Sequence, residues 1–290
     1  MKFRPAKLSG HVPGRPLLLL TTPEPDMLTP FVTAQRIIKT IASILISTAL
    51  CTQAVHAQDT QRINFADREQ AQSMAKRLQE KEGIAVADTL ALLQQAELLP
   101  QVVKAVQPPK TKGVRNWDTY RSRFVEPYRI RKGVEFWDAN TEILKQAEAK
   151  YGIPQEVIVA IIGVETIYGQ HTGNYRVLDS LATLAFAYPA GQRDRSEFFL
   201  SELEAFIALC SRTHLDALEV KGSYAGAIGL GQFMPSSWTA YAVDGDEDGV
   251  VDLFHSRKDA IFSVANFLKV HGWEDGKATR VLVDIEHADN

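Results

Sequence analysis

The chain has 290 residues, of which 45% are hydrophobic, 23% charged and 9% aromatic, the composition of an ordinary globular protein with enough length for one large domain or two small ones. The formal net charge is −3; the first 57 residues hold six Lys+Arg and two Asp+Glu, leaving 26 basic and 33 acidic residues, a net of −7, on the remainder. That balance argues against nucleic acid as a partner.

The N-terminus reads as a targeting segment. Arg36 and Lys39 precede an apolar run from Ile41 to Leu50, and Val55-His56-Ala57 offers small residues at cleavage-type positions, the pattern of a secretory signal peptide. The run is too short to span a bilayer. Residues 1–26 form an unusually long preface, with Met27 as an alternative start. Cys51 stands where a lipid-modified cysteine could stand, but Leu50 before it is not the small residue such a site wants, so soluble export is expected over an anchor at Cys51. The other cysteine, Cys210, lies in an apolar helical stretch and is expected to be a core thiol, leaving the exported chain without an internal disulfide.

From Phe65 to about Val106, apolar positions recur at helical spacing (Leu90, Leu93 and Leu98; Val102, Val103 and Val106) and predict short helices. Gln107-Pro108-Pro109-Lys110-Thr111-Lys112-Gly113 reads as a linker, since paired prolines cannot continue a helix. A second helical block has Val134, Phe136, Trp137, Ile143, Leu144 and Ala147 as its apolar face. No alternating strand pattern and no internal repeat stands out, so a mainly α fold is expected.

Gly152-Ile153-Pro154-Gln155-Glu156 is a helix start, with proline pre-set for the first turn and Glu156 where the dipole favours an anion. Val157 to Val164 is apolar on every face, predicting a helix buried nearly all round. It carries one carboxylate at its end, Glu165, followed by Gly169, which can close the helix with positive φ. Two explanations stand side by side: a cap or ion pair satisfies Glu165, or apolar walls raise its pKa and make it a general acid. Further along, Ser223-Tyr224-Ala225-Gly226-Ala227-Ile228-Gly229-Leu230-Gly231-Gln232-Phe233 is small enough to let another backbone or a ligand ring approach, with Ser223 and Gln232 as neutral hydrogen-bonding groups.

Asp244-Gly245-Asp246-Glu247-Asp248-Gly249-Val250-Val251-Asp252 follows the EF-hand spacing. Asp244, Asp246, Asp248 and Asp252 stand at positions one, three, five and nine, the Val250 carbonyl at seven, and glycine at six. Position twelve, which should be a bidentate carboxylate, is His255. Either a structural calcium is held weakly or the loop is a solvated acidic turn.

Ile162 to Gly169, Thr172 to Phe186 and Gly226 to Ser237 together resemble the family of membrane-bound lytic murein transglycosylase B, glycoside hydrolase family 103, and the resemblance covers most of residues 64–273. It implies a lysozyme-like α-helical catalytic domain with an EF-hand-like loop, divided as 1–57, signal peptide and extension; 58–112, helical segment and linker; and 113–290, catalytic domain with the acidic loop at 244–255. It further implies cleavage of the β-1,4 bond between N-acetylmuramic acid and N-acetylglucosamine in peptidoglycan strands. Glu165 would be the sole acid and base, closing a 1,6-anhydro ring without a catalytic cofactor. A hydrolase with two carboxylates would need a partner; the nearest, Glu156 and Asp179, stand a helix or loop away. By the same resemblance Ser223 and Gln232 line the sugar groove, Tyr120 is a groove aromatic, and a metal loop follows. Tyr168, Tyr188 and Phe233 are further stacking candidates, although aromatics at such spacing more often build core.

Two departures stand out. In Tyr188-Pro189-Ala190-Gly191-Gln192-Arg193-Asp194-Arg195 the family's adjacent arginine pair is broken, with Arg195 in one place and Asp194 in the other, so contacts to acidic stem peptides are expected to change, with Arg193 as a substitute. Family members also continue for several dozen residues to a Tyr-Asn motif in the floor of the site, and nothing in 274–290 matches it. Three readings therefore remain: an active lytic transglycosylase, a hydrolytic muramidase, and a non-catalytic peptidoglycan-binding protein. A periplasmic monomer is expected, with outer-membrane association left open.

Overall fold

Where glycine and proline do not interrupt the apolar spacing, the chain coils into helices, and a computed structural model describes them over residues 63–108, 116–191 and 193–277. The signal-type segment with Cys51, most of the proline linker and the tail past 277 lie outside the described residues. The described residues fall in one compact unit.

Among the described residues there are eleven α-helices. The first three are α1 (Glu69–Glu82), α2 (Val86–Gln94) and α3 (Pro100–Ala105). They follow a 3-10 turn, Phe65–Asp67, which the Asn64 side chain caps by accepting from the Ala66 amide. Next come α4 (Trp117–Ser122), α5 (Pro127–Ala139), α6 (Thr141–Tyr151), α7 (Gln155–Thr166), α8 (Val177–Phe186), α9 (Ser196–Thr213), α10 (Pro235–Tyr241) and α11 (Arg257–Val270). The mainly α expectation holds. The strands β1 (Tyr175–Arg176) and β2 (Lys221–Gly222) pair antiparallel. At two residues each they are too short to leave an alternating pattern in the sequence. No described helix is long and apolar enough to cross a membrane.

The core gathers around α8, whose residues Val177 to Leu184 are all buried. Its polar side chains dock the N-terminal helices. The Asp179 carboxylate accepts from the Glu97 amide at 2.8 Å and from Arg176 Nη2 at 2.7 Å, and Thr183 Oγ1 accepts from the Leu99 amide at 3.0 Å. Phe65 adds an aromatic contact to Phe186, with ring centroids 5.5 Å apart. Across the same junction Arg77 on α1 reaches Glu204 on α9 at 2.7 Å. Cys210 is buried as expected; burial, with Asp216 nearby, pushes its thiol up to about 12, too high for a nucleophile.

Around α7 the expectations need correcting. Ile158, Val159, Ile162, Gly163 and Thr166 are buried, but Val164 is 45% exposed and Glu165 lies on an open face. The helix is not enclosed all round, because part of its apolar surface lines a cleft. It also ends earlier than glycine alone suggests: Ile167 adopts φ 50° and Tyr168 φ 58° before Gly169 at φ 91°.

Asp179 carries the docking of the N-terminal helices, and Asp179→Ala leaves the Arg176 guanidinium without its carboxylate partner. Urea denaturation is expected to show a loss of about 3 kcal/mol, as for a buried pair broken on one side; a loss below about 1 kcal/mol would assign the docking to apolar contacts instead.

Candidate active site

Glu165 projects from the last turn of α7 into a cleft of about 400 Å³. Ile161 from the same helix, Phe233 and Met234 from the Gly-rich segment, and Val264, Phe267 and Leu268 from α11 supply apolar walls; Gln232 and Ser237 are the polar side chains beside the acid. Glu165 is the only ionisable side chain among the described residues of this lining. The cleft is open to water on one side, yet the apolar walls withdraw enough solvent to push the carboxyl up from its ordinary 4.5. Desolvation is the only cause of that shift, and no ion pair or hydrogen bond offsets it among the described residues. A larger cavity, about 810 Å³, opens between α1, α9 and α10, but paired charges such as Arg77–Glu204 and Arg212–Glu82 line it, and it contains none of the candidate site residues.

The Gly-rich segment folds into a tight hairpin. Ile228 and Phe233 exchange backbone hydrogen bonds at 2.9 Å, and the Leu230 amide donates to the Leu253 carbonyl. Gly229, at φ 74°, presses so close that a Cβ would sit 2.7 Å from the Leu253 carbonyl oxygen. This glycine admits protein backbone, not a ligand ring. Gln232 is left-handed at φ 51°, and its Nε2 donates to the Thr172 and Gly229 carbonyls, both at 3.1 Å. Phe233, 6% exposed, meets Phe267 edge-on. The structure therefore brings Glu165, Gln232 and Phe233 together.

The other predicted contacts lie elsewhere. Ser223 Oγ accepts from the amides of Ala225 and Ala227 and shapes the turn, away from the cleft lining. Tyr168 packs on Phe136 and over Gly133 and Gly163, where a Cβ would collide with its hydroxyl. It lines a separate groove with Val159 and Ala160, which the 100° step of a helix places on the far side of α7 from Glu165. Tyr120, 55% exposed, stands on α4 between Trp117 and Phe124. Arg195 lies over the Phe198 ring at 4.6 Å, Tyr188 stacks on Phe199, and Asp194 accepts from the Ser196 amide at the start of α9. Motif spacing did not point to Met234, Ser237, Phe267 or Leu268 as cleft residues, although Val264, Phe267 and Leu268 recur with the spacing of one helix face.

In the acidic loop, Asp244, Asp246 and Asp259 bring one carboxylate oxygen each within 4.8 Å of one another. Asp259, in the first turn of α11, was not among the sequence candidates; it is fully buried, and its oxygens accept from the Gly245 and Asp252 amides at 2.8 Å. Asp248 instead accepts from the Val250 amide, and Asp252 accepts from the Phe254 and His255 amides and pairs with His255 Nδ1 at 2.9 Å. His255, at position twelve, is 86% exposed. A legible signal for Asp259 was present: Ser256 caps α11 and receives the Asp259 amide, the S-x-x-D pattern of a helix start. Three carboxylates so close repel unless a cation sits between them, and an all-oxygen set fits a hard cation such as calcium.

A helical domain that sets one acid in an apolar cleft beside a Gly-rich hairpin is of the lysozyme-like class. The family model described as transglycosylase SLT domain matches residues 66–290, and the chain belongs to that family. It is 40% identical over 230 residues to membrane-bound lytic murein transglycosylase B of Escherichia coli (strain K12), covering 76% of this chain and 62% of that one, so it spans less than two thirds of that relative's length. Among solved structures it is similar to soluble lytic transglycosylase SltB1 from Pseudomonas aeruginosa, with 42% identity, a TM-score of 0.67, and 72% and 69% of the two chains covered. It is also similar to Escherichia coli lytic transglycosylase Slt35 in complex with calcium, with 40% identity, a TM-score of 0.67, and 77% and 70% covered.

The raised Glu165 carboxyl has a consequence for stability. Its charged form is disfavoured in the folded state, so the neutral-carboxyl advantage is full below the ordinary 4.5 and lost as pH rises through the higher folded value. Glu165→Gln, neutral throughout, is therefore expected to exceed the wild type in urea resistance near neutral pH and to match it in acid. An equal gap at both pH values would mean that the carboxyl does not feel its walls.

Proposed function

We propose that the protein is a lytic transglycosylase of peptidoglycan, cleaving the β-1,4 bond between N-acetylmuramic acid and N-acetylglucosamine with Glu165 as sole acid and base. The observation that carries this is the cleft lining, in which Glu165 is the only ionisable group among the described residues. Its carboxyl biased toward the neutral form by the apolar walls, Glu165 donates a proton to the glycosidic oxygen as the bond to the muramoyl C1 breaks. The carboxylate left behind then accepts the proton of the muramoyl 6-hydroxyl, whose oxygen bonds to C1, and the 1,6-anhydro ring closes with Glu165 reprotonated. The nucleophile belongs to the substrate, so no second carboxylate is needed to activate water.

In this reading Gln232 offers its amide oxygen to the strand while Nε2 is engaged by the Thr172 and Gly229 carbonyls. Phe233 and Phe267 keep the reacting carbon dry. Ser223 acts through the turn it holds, Tyr120 presents a stacking face along the strand, and Arg195 or Arg193 meets carboxylates of the stem peptides. The signal-type N-terminus supports work in the periplasm, and we take the protein to act there as a monomer.

Digestion of purified sacculi, with mass spectrometry of the released fragments, tests the assignment. The wild type is expected to release 1,6-anhydromuramoyl products, and Glu165→Gln to lose about a hundred- to ten-thousand-fold of that rate. Products heavier by one water would make the enzyme a hydrolytic muramidase, and binding to sacculi without release would make it a wall-binding protein.

The acidic loop we assign to a structural calcium, held by Asp244, Asp246 and Asp259, with Asp248, Asp252 and the Val250 carbonyl in the same loop. The calcium-bound state of a relative and the convergence of three carboxylates support it. The ion would neutralise the cluster and join the loop to α11, with no part in the chemistry. Calcium at about 100 times its Kd should stabilise the fold by about 2.7 kcal/mol, seen as a raised thermal midpoint. Asp259→Asn should abolish that response; a response that survives would locate the ion elsewhere.

A further inference from the structure

The acid's neighbour, Thr166, is fully buried. Its Oγ1 donates to the Leu230 carbonyl at 2.9 Å, lies 3.3 Å from the Ile162 carbonyl, and accepts from the Gly169 amide at 3.0 Å. A hydroxyl has one proton, and the shorter contact sends it to Leu230. Leu230 sits in the hairpin between Ile228 and Phe233 that also carries Gln232. One side chain thus joins the last turn of α7 to the opposite wall of the cleft, and it does so one residue from Glu165. The same hydroxyl caps the turn in which Ile167 and Tyr168 hold left-handed backbone, a conformation that costs a β-branched residue enough to persist only when its surroundings enforce it.

We infer that Thr166 is a positioning residue: its hydroxyl fixes the spacing between the Glu165 carboxyl and the Gln232–Phe233 wall, and through it the geometry of proton transfer. The inference rests on the proposed role of Glu165. A hydrogen bond that merely filled the core would be replaceable by any side chain of the same shape. This one sets a distance between two walls of a cleft, and turnover is sensitive to displacements of about 1 Å, which can cost about a hundredfold.

Thr166→Val keeps the shape and removes the hydroxyl; Thr166→Ser keeps the hydroxyl. On sacculi, the valine variant should lose about 10- to 100-fold in kcat with KM little changed, while the serine variant stays within a few-fold of wild type. Independently of turnover, the Glu165 carboxyl carbon followed by NMR should titrate nearer the ordinary range in the valine variant, because a loosened cleft admits water, and at the wild-type midpoint in the serine variant. If the valine variant does not fold, Thr166→Ala, which lacks the hydroxyl but relieves crowding, is measured in its place. A valine or alanine variant that is less heat-stable but unchanged in kcat and in Glu165 titration overturns the inference, as does a serine variant equally impaired. If the wild type releases no anhydro product, the proposed function fails, and the titration comparison still decides the role of Thr166.

Discussion

A carboxyl can be kept beside apolar walls only if the backbone that carries it cannot turn it out to water. In this fold that constraint falls on the three left-handed residues that end α7, Ile167, Tyr168 and Gly169. Left-handed backbone at two non-glycine positions costs on the order of 1–3 kcal/mol each. The surroundings that enforce it converge from four directions. Thr166 caps the turn and reaches Leu230, the His171 amide bonds the Thr166 carbonyl at 2.8 Å, Arg257 donates to the Tyr168 carbonyl at 3.3 Å, and the Tyr168 ring fills the space above Gly133 and Gly163. Each contact ties α7 to a different part of the chain: the hairpin, the loop before β1, α11 and α5. The walls of the cleft come from the hairpin and α11, so holding the turn and building the cleft are one task.

This explains which parts of the site were legible in the sequence. Glu165 stood out because a lone acid in an apolar run is chemically conspicuous, and the mainly α fold followed from the helical spacing of leucine and valine. The orientation of α7 was not legible. Hydropathy marks Ile161 and Ile162 alike, although one lines a cleft and the other is core. Gly169 invited the expectation of a glycine-closed helix, yet the turn begins two residues earlier, because contacts remote in sequence override the local preference of isoleucine. Tyr168 looked like a stacking surface for the same local reason, and its actual partners, Gly133 and Gly163, are identifiable only once α5 and α7 are packed together.

The acidic loop shows a related limit. Spacing picked out Asp244 and Asp246, which lie in the carboxylate cluster, but it carried the register of a twelve-residue loop through to His255, which instead pairs with Asp252 at the surface. The third carboxylate comes from the next helix. Asp259 accepts from amides on both sides of the loop, at Gly245 and Asp252, so the loop is folded around a buried acid. A spacing rule reads carboxylates from one continuous segment and does not register one delivered by the element that follows.

The single acid also sets what the rest of the cleft must do, on the mechanism proposed. With two carboxylates, an enzyme divides protonation and nucleophilic activation between groups that need not move in concert. With one, the same oxygen atoms must face the leaving group first and the 6-hydroxyl afterwards, and the intervening state must be kept from water for the substrate's own hydroxyl to win. Both requirements fall on geometry and dryness. Ile161, Phe233, Val264, Phe267 and Leu268 give the cleft its apolar walls, and Thr166 with the left-handed turn gives the acid its fixed position. A cationic side chain in this cleft would favour the charged carboxyl and pull the Glu165 pKa back down, and a charge of either sign would draw water in. On the proposed mechanism, Glu165, the one ionisable group among the described lining residues, therefore serves as acid and then as base.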